Sequence, residues 1–355
     1  MLIVNDFYCG KNVLVTGHTG FKGSWLSLWL QSVGANVIGY ALPPPTVPSL
    51  FVAANVANGM TSITGDVRDF SALLSVFKKY QPEIVIHMAA QALVRYSYEN
   101  PIETYSTNVM GTVHLLEAAR QTPSVRAIVN VTSDKCYENQ EREKGYQEDE
   151  AMGGYDPYSS SKGCAELVTA AYRRSFFKQT KIQLASARAG NVIGGGDFAE
   201  DRLIPDFLRA IDAGERLKIR SPESTRPWQH VLEPLSGYLT LAERLYTDGE
   251  KFAEAWNFGP NDEDACSVQS IVKRLAKMRQ DVAWQCDETP KPHEASYLKL
   301  DSSKARGRLG WQPHWQLDTA LSKTVAWHEG WRNGNDMKAF TLAQIDEYQS
   351  VEAVH

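Results

Sequence analysis

Cysteine is scarce: five in 355 residues, widely separated, with no Cys-x-x-Cys pair. That spacing argues against a disulfide scaffold or a cysteine-bound zinc and fits a reduced, cytoplasmic protein. Long apolar runs are missing too. No stretch approaches a membrane span, and no signal-peptide core is expected near the N-terminus, so no membrane partner is expected. Neither sign of charge dominates. The 37 Lys and Arg against 42 Asp and Glu leave a net charge of -5, with both signs scattered. That gives no electrostatic footprint for nucleic acid. Repeats and low-complexity tracts are absent, and Pro43-Pro44-Pro45 makes only a stiff loop. A composition of 43% hydrophobic and 22% charged residues excludes a disordered chain. What the chain has in quantity is aromatic: nine tryptophans and fifteen tyrosines, available for cores, interfaces or ring-shaped ligands.

Short β-rich runs alternate with helical patterns. Strands are expected at 12–17, 36–42, 83–90, 126–131 and 182–190, and helices at 23–34, 70–80, 108–121 and about 159–178. Alternation with continuously apolar strands predicts an α/β fold, a Rossmann-type doubly wound parallel sheet. After Gly190 the pattern loosens into a Gly-rich loop at 192–205 and polar loops at 221–231 and 286–296. The expected organisation is therefore a dinucleotide-binding domain over 1–190 and a smaller, less regular C-terminal substrate domain over 191–355. Some of the second part, about 228–260, is expected to return to the first.

Three short stretches carry chemistry. "TGHTGFKGS" spaces Gly17, Gly20 and Gly23 between the first strand and first helix. Glycines there permit a tight turn and close approach of a pyrophosphate, and the helix start offers free N–H groups. The usual companion, an acid ending the second strand, is missing: Tyr40-Ala41-Leu42-Pro43 holds neither Asp, Glu nor Arg. NAD is expected and NADP is not excluded, because His18 and Lys22 in the turn could favour a 2′-phosphate. Lys22 could equally bind the pyrophosphate or be solvated. In "GDVRD" (65–69), Asp66 could accept from an adenine amino group, while Asp69 or Ser71 better fits a helix cap. "YSSSK" places Tyr158 and Lys162 four residues apart, on one helical face. An ammonium beside a phenol, whose ordinary pKa is about 10, favours the phenolate that can take a hydroxyl proton. The alternative is an exposed ion-dipole pair. "TSDKCY" (132–137) sets a hydroxyl, a carboxylate and an ammonium where an apolar strand stops, which is costly unless they are paired or used.

These segments, with "HMAAQ", "NVMGT", "ARAGNVIGGGD", "RPWQHV" and "LDSSKARGRLGWQP", span nearly the whole chain. Together they resemble the extended short-chain dehydrogenases/reductases acting on nucleotide sugars, in particular the 4,6-dehydratases. The similarity is strongest to the branch that takes CDP-glucose, which reads Thr-Ser-Asp-Lys at the slot where others read Thr-Asp-Glu. The resemblance implies oxidation at C4 of the sugar, loss of water across C5 and C6, and hydride return to C6. The product would enter deoxysugar synthesis of the O-antigen type. It assigns Ser133 to the 4-oxygen, Asp134 as acid at C6, Lys135 as base at C5, and Tyr158 with Lys162 to the C4 hydroxyl and nicotinamide ribose. Lys135 must be neutral to act, and a lysine's ordinary pKa is about 10.4. If it stays protonated it steadies the enolate instead.

The same resemblance implies a cofactor site of Gly17, His18, Gly20, Phe21, Lys22, Gly23, Asp66, Val67, Ala89, Ala90, Gln91, Asn108, Tyr158, Lys162 and Arg188. It implies a substrate site of Gln91, Asn191, Arg202, Leu203, Arg226, His293, Glu294 and Tyr297, with Arg226 a natural diphosphate partner. Gln91 could equally be structural. His293 is solitary, which argues against a metal. The family implies a homodimer, with a homotetramer as the alternative, packed through helices at 107–121 and 159–177. Still open are a dTDP-glucose or GDP-mannose dehydratase, a C4 epimerase, and a dinucleotide-binding regulator without chemistry.

Overall fold

The computed structural model describes residues 4–279, 284–286 and 297–352. Strands β1 (Asn12–Thr16), β2 (Asn36–Ala41), β3 (Thr61–Thr64), β4 (Ile84–His87), β5 (Ala127–Val131) and β6 (Gln183–Ala189) lie in one parallel sheet. A seventh strand at Ala255–Phe258 extends it beyond β6, giving the order 3-2-1-4-5-6 and then that strand. The order reverses beside β1, so a crevice opens past the carboxyl ends of β1 and β4. Strands β4 and β5 are buried at every position, which is why they read as unbroken apolar runs.

Principal helices flank the sheet: α1 (Phe21–Ser32), α2 (Phe70–Tyr80), α3 (Gly111–Arg120) and α4 (Pro157–Tyr172). Asp69 caps α2, accepting from the Ala72 N–H at 3.0 Å, as its position before the apolar pattern predicts. Strand β4 ends at His87, three residues before the expected 90, because Met88–Ala90 leaves the ladder to line the crevice. The expected helix at 108–121 is regular only from Gly111. A widened π-type turn at Ser106–Met110 precedes it, and a similar turn at Arg173–Phe177 ends α4. Such turns cluster at functional sites.

Beyond β6, strands at Asn191–Ile193, Thr225–His230 and Ala265–Ser267 form a small second sheet. Helix α5 (Leu203–Ala213) packs its apolar side into a separate core with Phe207, Leu217, Trp228, Ile271 and Leu321. Helix α6 (Leu232–Asp248) instead lies on the main sheet, with Leu235, Leu239 and Ala242 in the same core as Val129 and Ala187. A helix at Met337–Glu352 joins that core too, where Tyr348 meets Trp29 of α1 at 5.8 Å between rings. Trp25, Trp29, Trp256 and Trp327 are fully buried, so much of the aromatic surplus serves packing.

Candidate active site

The turn after β1 is shaped by crowding. Gly17 has φ +76°, and a Cβ there would stand 2.8 Å from the Ala89 nitrogen. A Cβ on Gly23 would fall 2.1 Å from the Gly17 carbonyl oxygen, so glycine alone lets α1 approach β1 this closely. Gly20 caps α1 with no side chain, leaving the first helical N–H groups of Phe21, Lys22 and Gly23 at the crevice. This cradle fits a dinucleotide pyrophosphate. Ala89, Ala90 and Gln91 follow β4, with Ala89 packed against Gly17, and Val67 is buried after β3.

Two of the turn's polar residues bear on the expectation about a 2′-phosphate. His18 is fully buried, edge-on to Phe51, with Nε2 at 2.7 Å from the Ser62 hydroxyl. Burial lowers its pKa to about 4, so it is a neutral ring and offers a phosphate no charge. Lys22 turns toward the catalytic groups. Its Nζ donates to the Tyr238 hydroxyl at 2.9 Å and lies 5.0 Å over that ring. Burial, then the charges of Lys162 and Arg202, lower Lys22 to about 7. Asp66 sits after β3, where Arg68 binds its carboxylate through Nε at 2.8 Å and Nη2 at 2.6 Å. Those hydrogen bonds hold Asp66 below its ordinary range.

Two further cofactor residues are committed to the protein itself. Gln91 donates from Nε2 to the Leu93 carbonyl at 3.0 Å and to Thr104 Oγ1 at 2.9 Å, and its Oε1 accepts from the Leu93 N–H. Its side chain locks a loop, the structural role, because burial requires each amide group to be paired. The Arg188 guanidinium is likewise engaged with protein groups. Its guanidinium donates to Glu166 at 2.8 Å, to the Tyr137 hydroxyl at 2.6 Å and to the Glu148 carbonyl at 3.1 Å. Asn108, in the π-type turn, is 2% exposed and bonds the Gln91 N–H, the Gln91 carbonyl and Ser161 Oγ. It clamps the crevice floor to α4.

Helix α4 presents the tyrosine-lysine pair. Asp156 caps it, accepting from the Ser159 N–H at 2.9 Å, and Pro157 presets the first turn. Tyr158 and Lys162 are both buried. Burial pushes the Tyr158 phenol up to about 12, Asp134 adds to this, and a hydrogen bond to Ser133 together with the Arg202 charge opposes it. Burial lowers Lys162 to about 8, against the charge of Glu166.

The "TSDK" turn leaves β5 directly beside this pair. Ser133 Oγ donates to Asp134 Oδ1 at 2.9 Å and accepts from the Lys135 N–H at 3.2 Å. Asp134 is 3% exposed, and burial raises its pKa despite Lys135, Ser133 and Arg226 nearby. Its Oδ2 has no hydrogen-bond partner among the described residues. A buried carboxyl that resists ionisation, with one oxygen uncommitted, is equipped to donate a proton. Lys135 is half-buried and electrostatically coupled to it. Gly190, just after β6, makes room for the acid: a Cβ there would stand 2.9 Å from Asp134 Oδ2. Gly190→Ala is expected to displace the carboxyl and lower turnover up to about 10²-fold with unchanged folding, checked by kcat and thermal melting.

Substrate candidates gather around the same edge. Asn191 opens the second sheet beside Gly190 and is half-buried. Arg202 caps α5, binds Asp197 at 2.8 Å and bears electrostatically on Tyr158. Leu203 begins α5. Arg226 is buried, bears on Asp134 and donates to the Thr225 carbonyl at 3.1 Å. The Tyr297 carbonyl accepts from Asn139 at 3.0 Å. His293 and Glu294 lie outside the described residues. Sequence reasoning missed Tyr238, Glu166, Tyr137 and Asn257. Only Glu166 carried a signal, standing one helical turn beyond Lys162.

Residues 14–324 match the family described as GDP-mannose 4,6 dehydratase. The chain belongs to this family. The CDP-glucose 4,6-dehydratase of Salmonella typhimurium is 58% identical, over 98% of this chain and 99% of that one. The human dTDP-D-glucose 4,6-dehydratase is 26% identical, over 91% of this chain and 92% of that one. Among solved structures, the dTDP-glucose 4,6-dehydratase of Bacillus anthracis in complex with NAD has a TM-score of 0.74 at 23% identity, over 90% and 97% of the two chains. The UDP-glucose 4-epimerase of Thermotoga maritima reaches 0.77 at 23% identity, over 91% and 99%. Dehydratases and epimerases of nucleotide sugars thus share this fold, and the strand-end residues of this GDP-mannose 4,6-dehydratase family member must separate the chemistries.

Proposed function

We propose that the protein is a CDP-D-glucose 4,6-dehydratase, an NAD-dependent hydro-lyase that forms CDP-4-keto-6-deoxy-D-glucose. The observation that carries this reading is the Asp134–Lys135 pair at the strand end, beside Tyr158 and Lys162. An epimerase needs no such acid-base pair, and a regulator needs neither. The 58% identity to a CDP-glucose 4,6-dehydratase supports the nucleotide. The glycine cradle and the neutral His18 favour NAD.

When bound, NAD supplies a hydride acceptor for C4 that later returns the hydride to C6. Tyr158, as phenolate, takes the 4-hydroxyl proton, with Lys162 as the neighbouring cation and Ser133 binding the 4-oxygen. The C4 ketone acidifies the C5 proton, which Lys135 removes. Asp134 protonates the departing 6-hydroxyl, so water leaves. Lys135 then restores a proton to C5. The proton gained by Tyr158 and the one given by Asp134 cancel, and one water is the net loss. Arg226 and Arg202 are suited to the diphosphate and its nucleoside.

Substrate carrying deuterium at C4 tests the whole sequence. Deuterium recovered at C6 is the expected result, while retention at C4 would make this an epimerase. A panel of CDP-, dTDP-, UDP- and GDP-hexoses, with and without NAD, tests the nucleotide.

The protein acts as a homodimer in this reading. An apolar groove of Pro101, Ile102, Tyr105, Val109, Met110 and Cys164 lies between the helical segments before α3 and α4. Ile102 is 83% exposed and Leu167, one turn beyond Cys164, 60%. Such a contiguous apolar face asks for a partner, and a second copy supplies it. Leu167→Glu is expected to yield monomers by light scattering, since a buried unpaired charge costs about 3–5 kcal/mol. No helix among the described residues is long and apolar enough to cross a membrane.

A further inference from the structure

One buried anion near the catalytic groups has no part in the proton transfers above. Glu166 lies on α4, four residues beyond Lys162 and eight beyond Tyr158, and its side chain is 4% exposed. Its Oε1 accepts from the Thr132 hydroxyl, the residue just before Ser133. Its Oε2 accepts from Ser186 Oγ at 2.7 Å and from Arg188 at 2.8 Å. One carboxylate therefore joins three elements: α4, the turn leaving β5, and β6. Both oxygens are spent on the protein and none on the crevice.

Arg188 is fixed in turn. Its second nitrogen donates to Tyr137, whose hydroxyl donates to Asn257 Oδ1 at 2.8 Å. Asn257 holds the carbonyls of Tyr146 and Asp301 from its Nδ2, at 2.8 and 3.1 Å. The network reaches from the catalytic turn to the outermost strand of the main sheet. Only Arg188 Nε lacks a partner in this network among the described residues, and the remaining bonds hold the groups at its ends in register.

We infer that Glu166 is a positioning residue of this reaction. Its carboxylate fastens the turn bearing Ser133, Asp134 and Lys135 to the helix bearing Tyr158 and Lys162, and supplies the negative charge that keeps Lys162 an ammonium.

The groups around Lys162 support the second half of this statement. From α4 it faces Glu166, from the turn after β5 Cys136, from the end of β4 His87, and from the glycine turn Lys22. Burial lowers His87 to about 3, leaving it neutral, and burial pushes the Cys136 thiol well up, leaving it protonated. Lys22, lowered to about 7 by burial and by the Lys162 charge itself, gives up its proton before Lys162 does. Among these described neighbours, Glu166 is the anion. Around Glu166 itself stand Arg188 on β6, Arg173 in the turn ending α4, and Cys136. Burial would raise Glu166, yet Arg188 and the three hydrogen bonds hold it below its ordinary value, so it is charged.

The sign of the effect follows. Lys162 must be protonated to favour the Tyr158 phenolate, and it is already lowered to about 8. Glu166→Gln keeps the shape but removes the anion and leaves Arg188 uncompensated, and both changes favour loss of the Lys162 proton. The alkaline limb of the kcat profile should move to lower pH by about one unit, a tenfold loss along that limb. KM for the nucleotide sugar should change little. Glu166→Asp keeps the charge and should hold the limb in place.

Folding defects are separated by a second variant, Glu166→Gln with Arg188→Gln. Removing both charges avoids an unpaired buried ion and should restore thermal stability. A positioning role predicts that the double variant stays alkaline-sensitive although stable. A purely structural role predicts recovery of the wild-type profile, which overturns the inference, as does a limb moved equally by Glu166→Asp. If the single variant cannot be isolated, the double variant decides alone. The inference rests on the dehydratase reading. A wild-type protein that leaves every nucleotide sugar unchanged would sink that reading, whereas normal wild-type turnover with an unmoved limb sinks only this one.

Discussion

Tyr158→Phe is expected to cut formation of the keto-deoxy product by about 10²–10⁴-fold, the ordinary worth of a positioned acid-base group. The phenol is buried at the start of α4, and its backbone N–H is held by Ser97 Oγ at 3.2 Å, so phenylalanine keeps the packing and loses only the hydroxyl. Nucleotide-sugar affinity, measured by calorimetry, should be nearly unchanged. The loss should persist across the pH range, because no remaining group can take the 4-hydroxyl proton. Ser133 lies close by, but an aliphatic hydroxyl is a weak base at its ordinary pKa and binds the 4-oxygen without taking its proton. Activity within about tenfold of wild type would give the proton to another residue.

The second large effect is expected from Lys135→Met, and it should divide the reaction. Oxidation at C4 depends on Tyr158, Lys162 and the cofactor, so one round of it should survive, seen as the near-ultraviolet absorbance of reduced nicotinamide. Removal of the C5 proton should stop. Deuterium from solvent would no longer enter C5, and keto-deoxy product would fall by about 10²–10⁴-fold. Asp134 is assigned to the acid rather than the base, because burial raises its pKa. If the variant exchanges C5 normally, Lys135 steadies the enolate and the base lies elsewhere. The two variants thus stop the same reaction at different carbons, which no general loss of folding would imitate.

The sheet and its cleft were legible because their signals are local. An apolar run buried on both faces reads as a parallel strand wherever it occurs, as at β4 and β5. The glycine spacing reads as a phosphate turn because Gly23 is crowded by Gly17 and His18, near neighbours in the chain, although Gly17 itself meets the distant Ala89. Tyr158 and Lys162 share a helical face by spacing alone. Side-chain destinations were less legible. His18, Lys22, Gln91 and Arg188 all stood in plausible places, and each has a partner beyond its own turn or strand: Ser62, Tyr238, Thr104 and Glu166.

The sequence by itself determined the order of strands and helices, the nucleotide turn, and the residues with reactive chemistry. Spacing along one chain fixes which groups share a turn or a face. Only the tertiary structure decided which of those groups are charged and which are spoken for. Burial and distant partners set a proton's cost, and they made His18 neutral, left Asp134 reluctant to ionise and kept Glu166 an anion.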